Sequence, residues 1–431
     1  MAIDQQYKEY IEKHFLESKK SAFQIENAIL ESELNAGGQN YTHTLHIPKI
    51  FTQEDKQRFQ DIVDRTYRIF EKVIQAYKKD EKIRSLFPFS KQLENFILLP
   101  NRYDVSIPIC RIDIFYDEKT KDFRFCEFNT DGTSAMHENA KLAALLSLNN
   151  VYQQDSHTYE QMELEDHWVD AFLSLADENV PDHPMVAIVD FLENAYLNEL
   201  YVFQQIFKRH GCQCEVLDIR DLAFDGKHLR SIYTNRKIDM VYRRAVTSDI
   251  ADRCAGLDFL EAVKQQAITL IGGFQTQIIH NKQINQVLRH PWMRAYLTDE
   301  ENAFMDAHLP KTYDLNQKLP IDIQNKDQWI IKPKDSYGAQ GVWAGVDLSQ
   351  AQWLEQVQRC MNRNYLVQEY IQPYRSPNID LVRDDVFKSF TNMTGLYVYN
   401  GQFAGVYSRC SDGGVISTQY NERSIPTLFV L

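Results

Sequence analysis

Residues 111–129 read RIDIFYDEKTKDFRFCEFN, and the rest of the chain is understood through them. Two runs rich in Ile, Phe and Tyr flank a charged turn, which predicts a β-hairpin. Side chains alternate faces along a strand. Arg111, Asp113 and Phe115 therefore share one face of the first strand, and Phe125, Glu127 and Asn129 share one face of the second. If the two faces coincide, each strand contributes a carboxylate and an amide oxygen lies beside them. Oxygen ligands of this kind suit Mg²⁺, which keeps some waters and takes the rest of its shell from substrate phosphates. Taken alone, the same pattern also fits an exposed hairpin with ordinary surface charges.

A second set of signals lies two hundred residues downstream. WIIKPKDSYGAQGVWAG, residues 329–345, is a strand carrying Lys332 followed by a loop with Gly338 and Gly341. Small flexible residues after a strand lysine can fold over phosphates with backbone N–H groups as donors. The segment is no P-loop, because G-x-x-x-x-G-K-[ST] is absent. Lys282 falls in a helical stretch, residues 276–310, and by itself fits a solvated lysine. YLVQEYIQ, residues 365–372, has the pattern of a buried strand. TGLYVYNGQFAGVYSR, residues 394–409, predicts a hairpin with Asn400-Gly401 in a type I′ turn, ending at Arg409. The stretch 374–390, YRSPNIDLVRDDVFKSF, reads as a charged loop.

Between these signals, Asp131-Gly132-Thr133-Ser134 reads as a turn and helix start. Thr133 and Ser134 can cap that helix or offer hydroxyls to an anion at its N-terminus. MVAIVDF, CEVLDI, IDMVYRRA and ITLIGG alternate with helical segments and predict a parallel α/β unit over 183–275. Ligands gather beyond the carboxyl ends of such strands. Glu193 and the pair Arg243-Arg244 sit at such ends, although each also fits a solvated loop charge. No GxGxxG follows the first strand, which speaks against a dinucleotide site. Residues 1–98 are largely helical, with Thr52 placed to cap the helix over 53–79 and Asp55 three residues on. The expected organisation is a helical region at 1–98, a metal-binding half of the core at 99–182, the parallel unit at 183–275 and a nucleotide-binding half at 276–431.

The chain has 431 residues, 44% hydrophobic and 25% charged, with a net charge of −13. Such a charge argues against nucleic acid as partner, since phosphate backbones are bound by basic surfaces. No apolar run has the length of a membrane span, and the charged helical N-terminus is not a signal peptide. Seven cysteines without a disulfide framework fit a reducing cytoplasm. Cys212 and Cys214 read as strand residues, because no second Cys/His pair offers metal-ligand spacing.

Taken together, R-x-D followed by E-x-N, the lysine of HNKQINQVL, IIKP with its glycine loop, VQEYI and FAGVYSR resemble the ATP-grasp ligases of the glutathionylspermidine synthase branch. The order carries the resemblance: E-x-N precedes the lysines and glycine loop, as in the circularly permuted branch. It covers roughly residues 100–431. It implies a mixed α/β, circularly permuted ATP-grasp fold with a Rossmann-like pre-ATP-grasp domain. It also implies ATP and Mg²⁺ as cofactors. Asp113, Glu127 and Asn129 are the implied metal ligands. Lys282 and Lys332 are implied to face the phosphates, with the loop around Gly338 and Gly341 closing over them and Gln368 and Glu369 meeting the nucleotide. Arg111 and Arg409 are the implied catalytic cations, and Thr133, Ser134 and Glu193 the substrate contacts. The implied reaction joins a small-molecule or peptide carboxylate to an amine through an acyl phosphate. The alternatives are a ligase for another peptide or amino acid, or a catalytically silent nucleotide-binding protein. A homodimer is compatible with the sequence. Residues 374–390 and VYRRAVTSDI depart from the family's pattern, so glutathione and spermidine themselves are not implied with the fold.

Overall fold

The computed structural model describes residues 3–35, 42–254, 256–336, 338–416 and 421–431. Its central feature is an antiparallel sheet in the order Arg423–Ile425, Gln402–Ser411, Asp384–Tyr399, Ile109–Tyr116, Phe123–Asn129. The strands at 384–399 and 402–411 are joined at Asn400 and Gly401, with φ of 47° and 84°. A type I′ turn requires positive φ at both of these positions. Against the far side of this hairpin lies the Ile109–Tyr116 strand, paired Gly395 to Asp113 and Tyr397 to Arg111.

The 111–129 hairpin forms with Arg111 opposite Asn129 and Asp113 opposite Glu127. Ile114 then pairs with Phe125, so Cys126 is an extra residue, a β-bulge. The bulge corrects one expectation. Phe125 does not share the face of Glu127 and Asn129. It turns to the opposite face and packs with Ile112, Ile114, Phe123 and Phe128 in the main core. One inserted residue thus lets the strand bury Phe125 and still present Glu127 to the site.

A second antiparallel sheet runs Thr312–Asp314, Tyr365–Glu369, Trp329–Pro333, Trp343–Ala344. The helix Gln350–Cys360, started by a Ser349–Gln352 capping box, seals its back with Trp353 and Val357. A third sheet is wholly parallel, ordered Thr269–Ile271, Met240–Arg243, Met185–Asp190, Gln213–Asp218. The helix Leu197–Arg209 packs on it through Phe203, Ile206 and Phe207.

The N-terminal helices belong to this core. Thr52 and Asp55 form the expected capping box at the start of the helix Gln53–Lys79, whose stripe of Phe59, Ile62, Val63, Phe70 and Val73 enters the main core. Lys49–Phe51 pairs in parallel with Thr427–Val430, tying the N-terminal layer to the last strand. Residues 374–390 are no loop. Arg375–Asp380 and Asp384–Tyr399 form an antiparallel pair. Ile379 and Leu381 pack against Tyr7, Ile11 and Ala22, and Lys19 donates to Asp385 at 2.6 Å. Pro377 and the dense charge suggest a loop, while the apolar partners of this hairpin come from the opposite end of the chain. All seven cysteines are free thiols, and among the described residues no helix is long and apolar enough to cross a membrane.

Candidate active site

Asp113 is the anchor of the site and has no exposed surface. Arg111 grips it with both arms, Nε to Oδ1 at 2.7 Å and Nη2 to Oδ2 at 3.0 Å. Arg409, from the neighbouring hairpin, adds Nη2 to Oδ2 at 2.6 Å. Two guanidiniums hold one carboxylate, and Arg409 Nη1 also donates to Glu422 Oε2 at 3.3 Å, which fixes the cluster and balances its charge. Strand geometry makes it possible. Arg111 and Asp113 are two residues apart on one face, and the residue opposite Asp113 is Gly395. A Cβ at Gly395 would lie 2.7 Å from Arg111 Cδ and 2.8 Å from Asp113 Oδ1. Glycine inside a strand commonly marks such a close approach. Gly395 is not among the residues that the motifs single out, although a glycine within TGLYVY is the available signal.

Beside this cluster Asn129 donates its Nδ2 to Asp113 Oδ2 at 3.0 Å and to Glu127 Oε1 at 3.3 Å. Burial would raise the Glu127 pKa, but Lys282, Lys332, Arg409 and Arg111 outweigh it and bring it to about 2. Lys282 and Lys332 thus approach Glu127 from the other half of the chain. Lys332 Nζ donates to Gln368 Oε1 at 2.9 Å and reaches the Cys126 carbonyl at 3.4 Å. Gln368 in turn donates to Thr312 Oγ1 at 3.0 Å. Lys282 Nζ donates to the Ser336 carbonyl at 2.8 Å. Burial and the nearby Lys332 lower its pKa, while Glu127 opposes them.

Two cavities meet at Glu127. A slot of about 60 Å³ runs between the sheets, lined among others by Lys282, Lys332, Gln368, Glu369, Val342 and Met393. A polar cavity of about 330 Å³ lies toward the parallel sheet, bordered by Arg111, Arg409, Asn129, Glu138, Asp190 and Arg244 among others. Glu127, Ala339 and Ile416 border both. Ala339 belongs to the glycine loop, where Gly338 and Gly341 have φ of 61° and 70°. Tyr337 of that loop lies outside the described residues.

The structure therefore brings together Arg111, Asp113, Glu127, Asn129, Lys282, Lys332, Gln368 and Arg409, which lie far apart in sequence. Asp113 borders neither cavity and stands behind its two arginines. Glu369 borders the slot and accepts from Arg124 Nη2 and the Lys311 backbone N–H, each at 3.1 Å. Gly338 borders the polar cavity; Gly341 packs near the Tyr365 hydroxyl, where a Cβ would lie 2.9 Å away.

Thr133 and Ser134 border the polar cavity but do not cap the following helix. That helix is Met136–Ala144, and its N-cap is Ala135 at φ 73° with no side-chain cap. Thr133 Oγ1 donates to the Asn129 carbonyl at 2.7 Å. The Ser134 carbonyl accepts from Arg111 Nη1 at 3.1 Å and the Tyr397 hydroxyl at 2.6 Å. Glu193 does not join the site. It is exposed and paired with Arg220 at 2.6 Å and with Arg253, while its neighbours Asp190 and Asn194 border the cavity. Arg243 and Arg244 are buried, not solvated loop charges.

The sequence matches the family described as glutathionylspermidine synthase preATP-grasp over residues 15–426. The match starts well before the motifs near residue 100, so the N-terminal helices from Phe15 on lie within the matched region. Among solved structures, a glutathione synthetase-like effector from Globodera pallida, in its apo form, superposes with a TM-score of 0.62 at 12% identity. The alignment covers 96% of this chain and 97% of that one. A putative γ-glutamylcysteine synthetase from Methylobacillus flagellatus KT aligns with a TM-score of 0.40 at 10% identity over 86% of this chain and 85% of that one. A search of curated proteins finds no match. The chain belongs to the glutathionylspermidine synthase preATP-grasp family, with the mixed α/β, ATP-grasp-related fold and ligase-type function that go with it.

Proposed function

We propose that this member of the glutathionylspermidine synthase preATP-grasp family is an ATP-dependent carboxylate–amine ligase that works through an acyl phosphate. ATP lies in the slot between the two antiparallel sheets, and its triphosphate points at Glu127, where slot and polar cavity meet. Lys332, on the 312–369 sheet, and Lys282, in the turn between the helices Gln277–His280 and Ile284–Val287, neutralise phosphate charge. A substrate carboxylate in the polar cavity attacks the γ-phosphorus, giving an acyl phosphate and ADP. An amine then attacks the acyl carbon, and phosphate leaves as the amide forms. Arg111 and Arg409, held rigid by Asp113, stabilise the oxyanions that develop. The work is positioning and charge neutralisation, so no Ser, Cys or His nucleophile is required.

The donor set fits Mg²⁺ in part. Glu127 and Asn129 offer hard oxygens at the junction of the cavities, and phosphate oxygens and water complete such a shell. Asn129 now turns its Nδ2 between the two carboxylates, and rotating that amide would present Oδ1 instead. Asp113 reaches a cation only if Arg409 releases it. When bound, Mg²⁺ would supply positive charge that neutralises the phosphates. The slot, about 60 Å³, is far below the roughly 300–1,000 Å³ of small-molecule sites. A nucleotide therefore needs a wider slot than the one seen here.

The observation that carries this reading is Glu127: it borders both cavities, and Lys282 and Lys332 from the later half of the chain, with Arg409 and Arg111, depress its pKa to about 2. ADP release measured with a panel of peptide and amino-acid carboxylates paired with amines tests it. Glu127→Ala is expected to lower turnover by about a hundredfold or more with the circular dichroism spectrum unchanged. Undiminished turnover in that variant contradicts the proposal.

A further inference from the structure

The ligase reading leaves one proton without an acceptor. An amine that attacks an acyl carbon must lose an N–H proton as the C–N bond forms. The charged arginines and lysines of the site are donors only. The acids on the wall of the polar cavity are the candidates, and most of them are engaged. Glu127, at a pKa of about 2, is held by lysines and arginines. Asp131 accepts from Arg243, Thr247 and Thr276. Glu422 accepts from Arg409 Nη1 at 3.3 Å. Asp190 and Asp249 stand on the parallel-sheet side, at the end of the Met185–Asp190 strand and in the helix Thr247–Arg253.

Glu138 differs from these. It lies in the first turn of the helix Met136–Ala144 and is partly exposed to the polar cavity. Both of its donors sit on one oxygen: Oε2 accepts from the Tyr407 hydroxyl at 2.5 Å and from Ser424 Oγ at 3.1 Å. Oε1 has no donor among the described residues, and it is not one of the unpartnered side-chain atoms sealed from solvent. One oxygen is thus fixed and the other open.

Tyr407 ties this carboxylate to the two catalytic arginines. It lies two residues before Arg409 on the Gln402–Ser411 strand, so both side chains share a face. It is opposite Gly395, which is opposite Asp113 on its other side. The Arg111 and Arg409 Cζ atoms lie 5.4 and 5.5 Å from the centre of its ring, and the hydroxyl of the same ring holds Glu138. Burial raises the Glu138 pKa against the pull of the Tyr407 bond, and Glu422 and Glu199 add to the rise. A carboxylate so placed accepts a proton more readily than a solvated one.

We propose that Glu138 is the general base of the amide-forming step, with Oε1 taking the proton of the attacking amine. The proposal rests on the ligase reading. As the nitrogen of a neutral amine bonds to the acyl carbon, its proton passes to Oε1. The carbon–oxygen bond to the phosphate breaks, and its electron pair leaves with the phosphate. The departing phosphate then takes the proton from Glu138 and is released as hydrogen phosphate, which restores the carboxylate.

Hydroxylamine separates this role from a structural one. It is uncharged at neutral pH and attacks acyl phosphates without a base, whereas an alkylamine gains from one. Amide formation with a primary alkylamine and hydroxamate formation with hydroxylamine are measured on the parent, Glu138→Gln and Glu138→Ala, using the panel acid with the fastest ADP release. Each variant is expected to raise the ratio of hydroxamate to amide rate by about a hundredfold. A folded variant with the parent's ratio overturns the proposal, whether the two rates fall together or neither falls. If only one variant folds, its ratio decides. If neither folds, Glu138 is a structural residue and the proposal is overturned as well. A parent that forms neither product with any acid of the panel sinks the ligase reading and this proposal with it. A parent that forms both, with the ratio unchanged in the variants, sinks the base alone.

Discussion

The two sides of the polar cavity are finished differently. On the hairpin side Arg111, Asp113, Arg409 and Asn129 satisfy one another at 2.6–3.0 Å. On the parallel-sheet side, among the described residues, Arg244 has two nitrogens without acceptors, and both ring nitrogens of the buried His280, which also borders the cavity, lack partners. A set of charges that must act on a developing transition state gains from being held in place before substrate arrives. A surface that must recognise one particular molecule gains from donors that only this molecule satisfies. The contrast sets a corner whose charges are already fixed against a wall with unmet donors, and mutations should affect the two differently.

The largest effect is expected in the corner. Arg409→Ala removes one of the two cations on Asp113 and should lower turnover by about 10²–10³-fold, measured as ADP release, with little change in acid-substrate KM. A change confined to KM would group Arg409 with the wall. Next is Gly395→Ala, whose Cβ has no room between Arg111 and Asp113. Overpacking of this kind costs about 1–3 kcal/mol, read in urea unfolding, and turnover should fall with it because Arg111 is displaced. A variant as stable and active as the parent would show that the Arg111–Asp113 pair is not held as described.

The smallest expected effect lies on the wall. Asp190 has its pKa raised to about 6 by burial, so the folded protein binds its proton more tightly than the unfolded chain does. Stability then falls as pH rises from about 4 toward 6, and the penalty is fully present above pH 6. Asp190→Asn should remove that slope and raise the melting temperature at pH 7.5 by roughly 2 °C, with no gain at pH 4. An equal shift at both pH values would assign the effect to packing instead of charge.

Much of this arrangement is legible in the sequence because local patterns set it. The R-x-D and E-x-N pairs, the I′ turn at Asn400-Gly401 and the Thr52–Asp55 capping box each depend on residues a few positions apart. The bulge at Cys126 is not legible, because whether Phe125 or Glu127 faces the core is decided by what packs on each side. The strand at 375–380 looks like a loop for a related reason: Tyr7 and Ile11, which cover Ile379, come from the other end of the chain. Glu193 and Arg244 look alike as strand-end charges. Only the fold shows one paired at the surface and the other buried on the cavity wall.

The central claim is that Glu127 of the early hairpin and Lys282 and Lys332 of the later half of the chain act on one triphosphate. Titration of a non-hydrolysable ATP analogue with and without Mg²⁺, on the parent, Glu127→Gln and Lys332→Met, tests it most directly. Lys332→Met should weaken binding about tenfold or more whether or not Mg²⁺ is present, and Glu127→Gln should abolish only the gain that Mg²⁺ brings. Nucleotide binding that is indifferent to both substitutions would contradict the account.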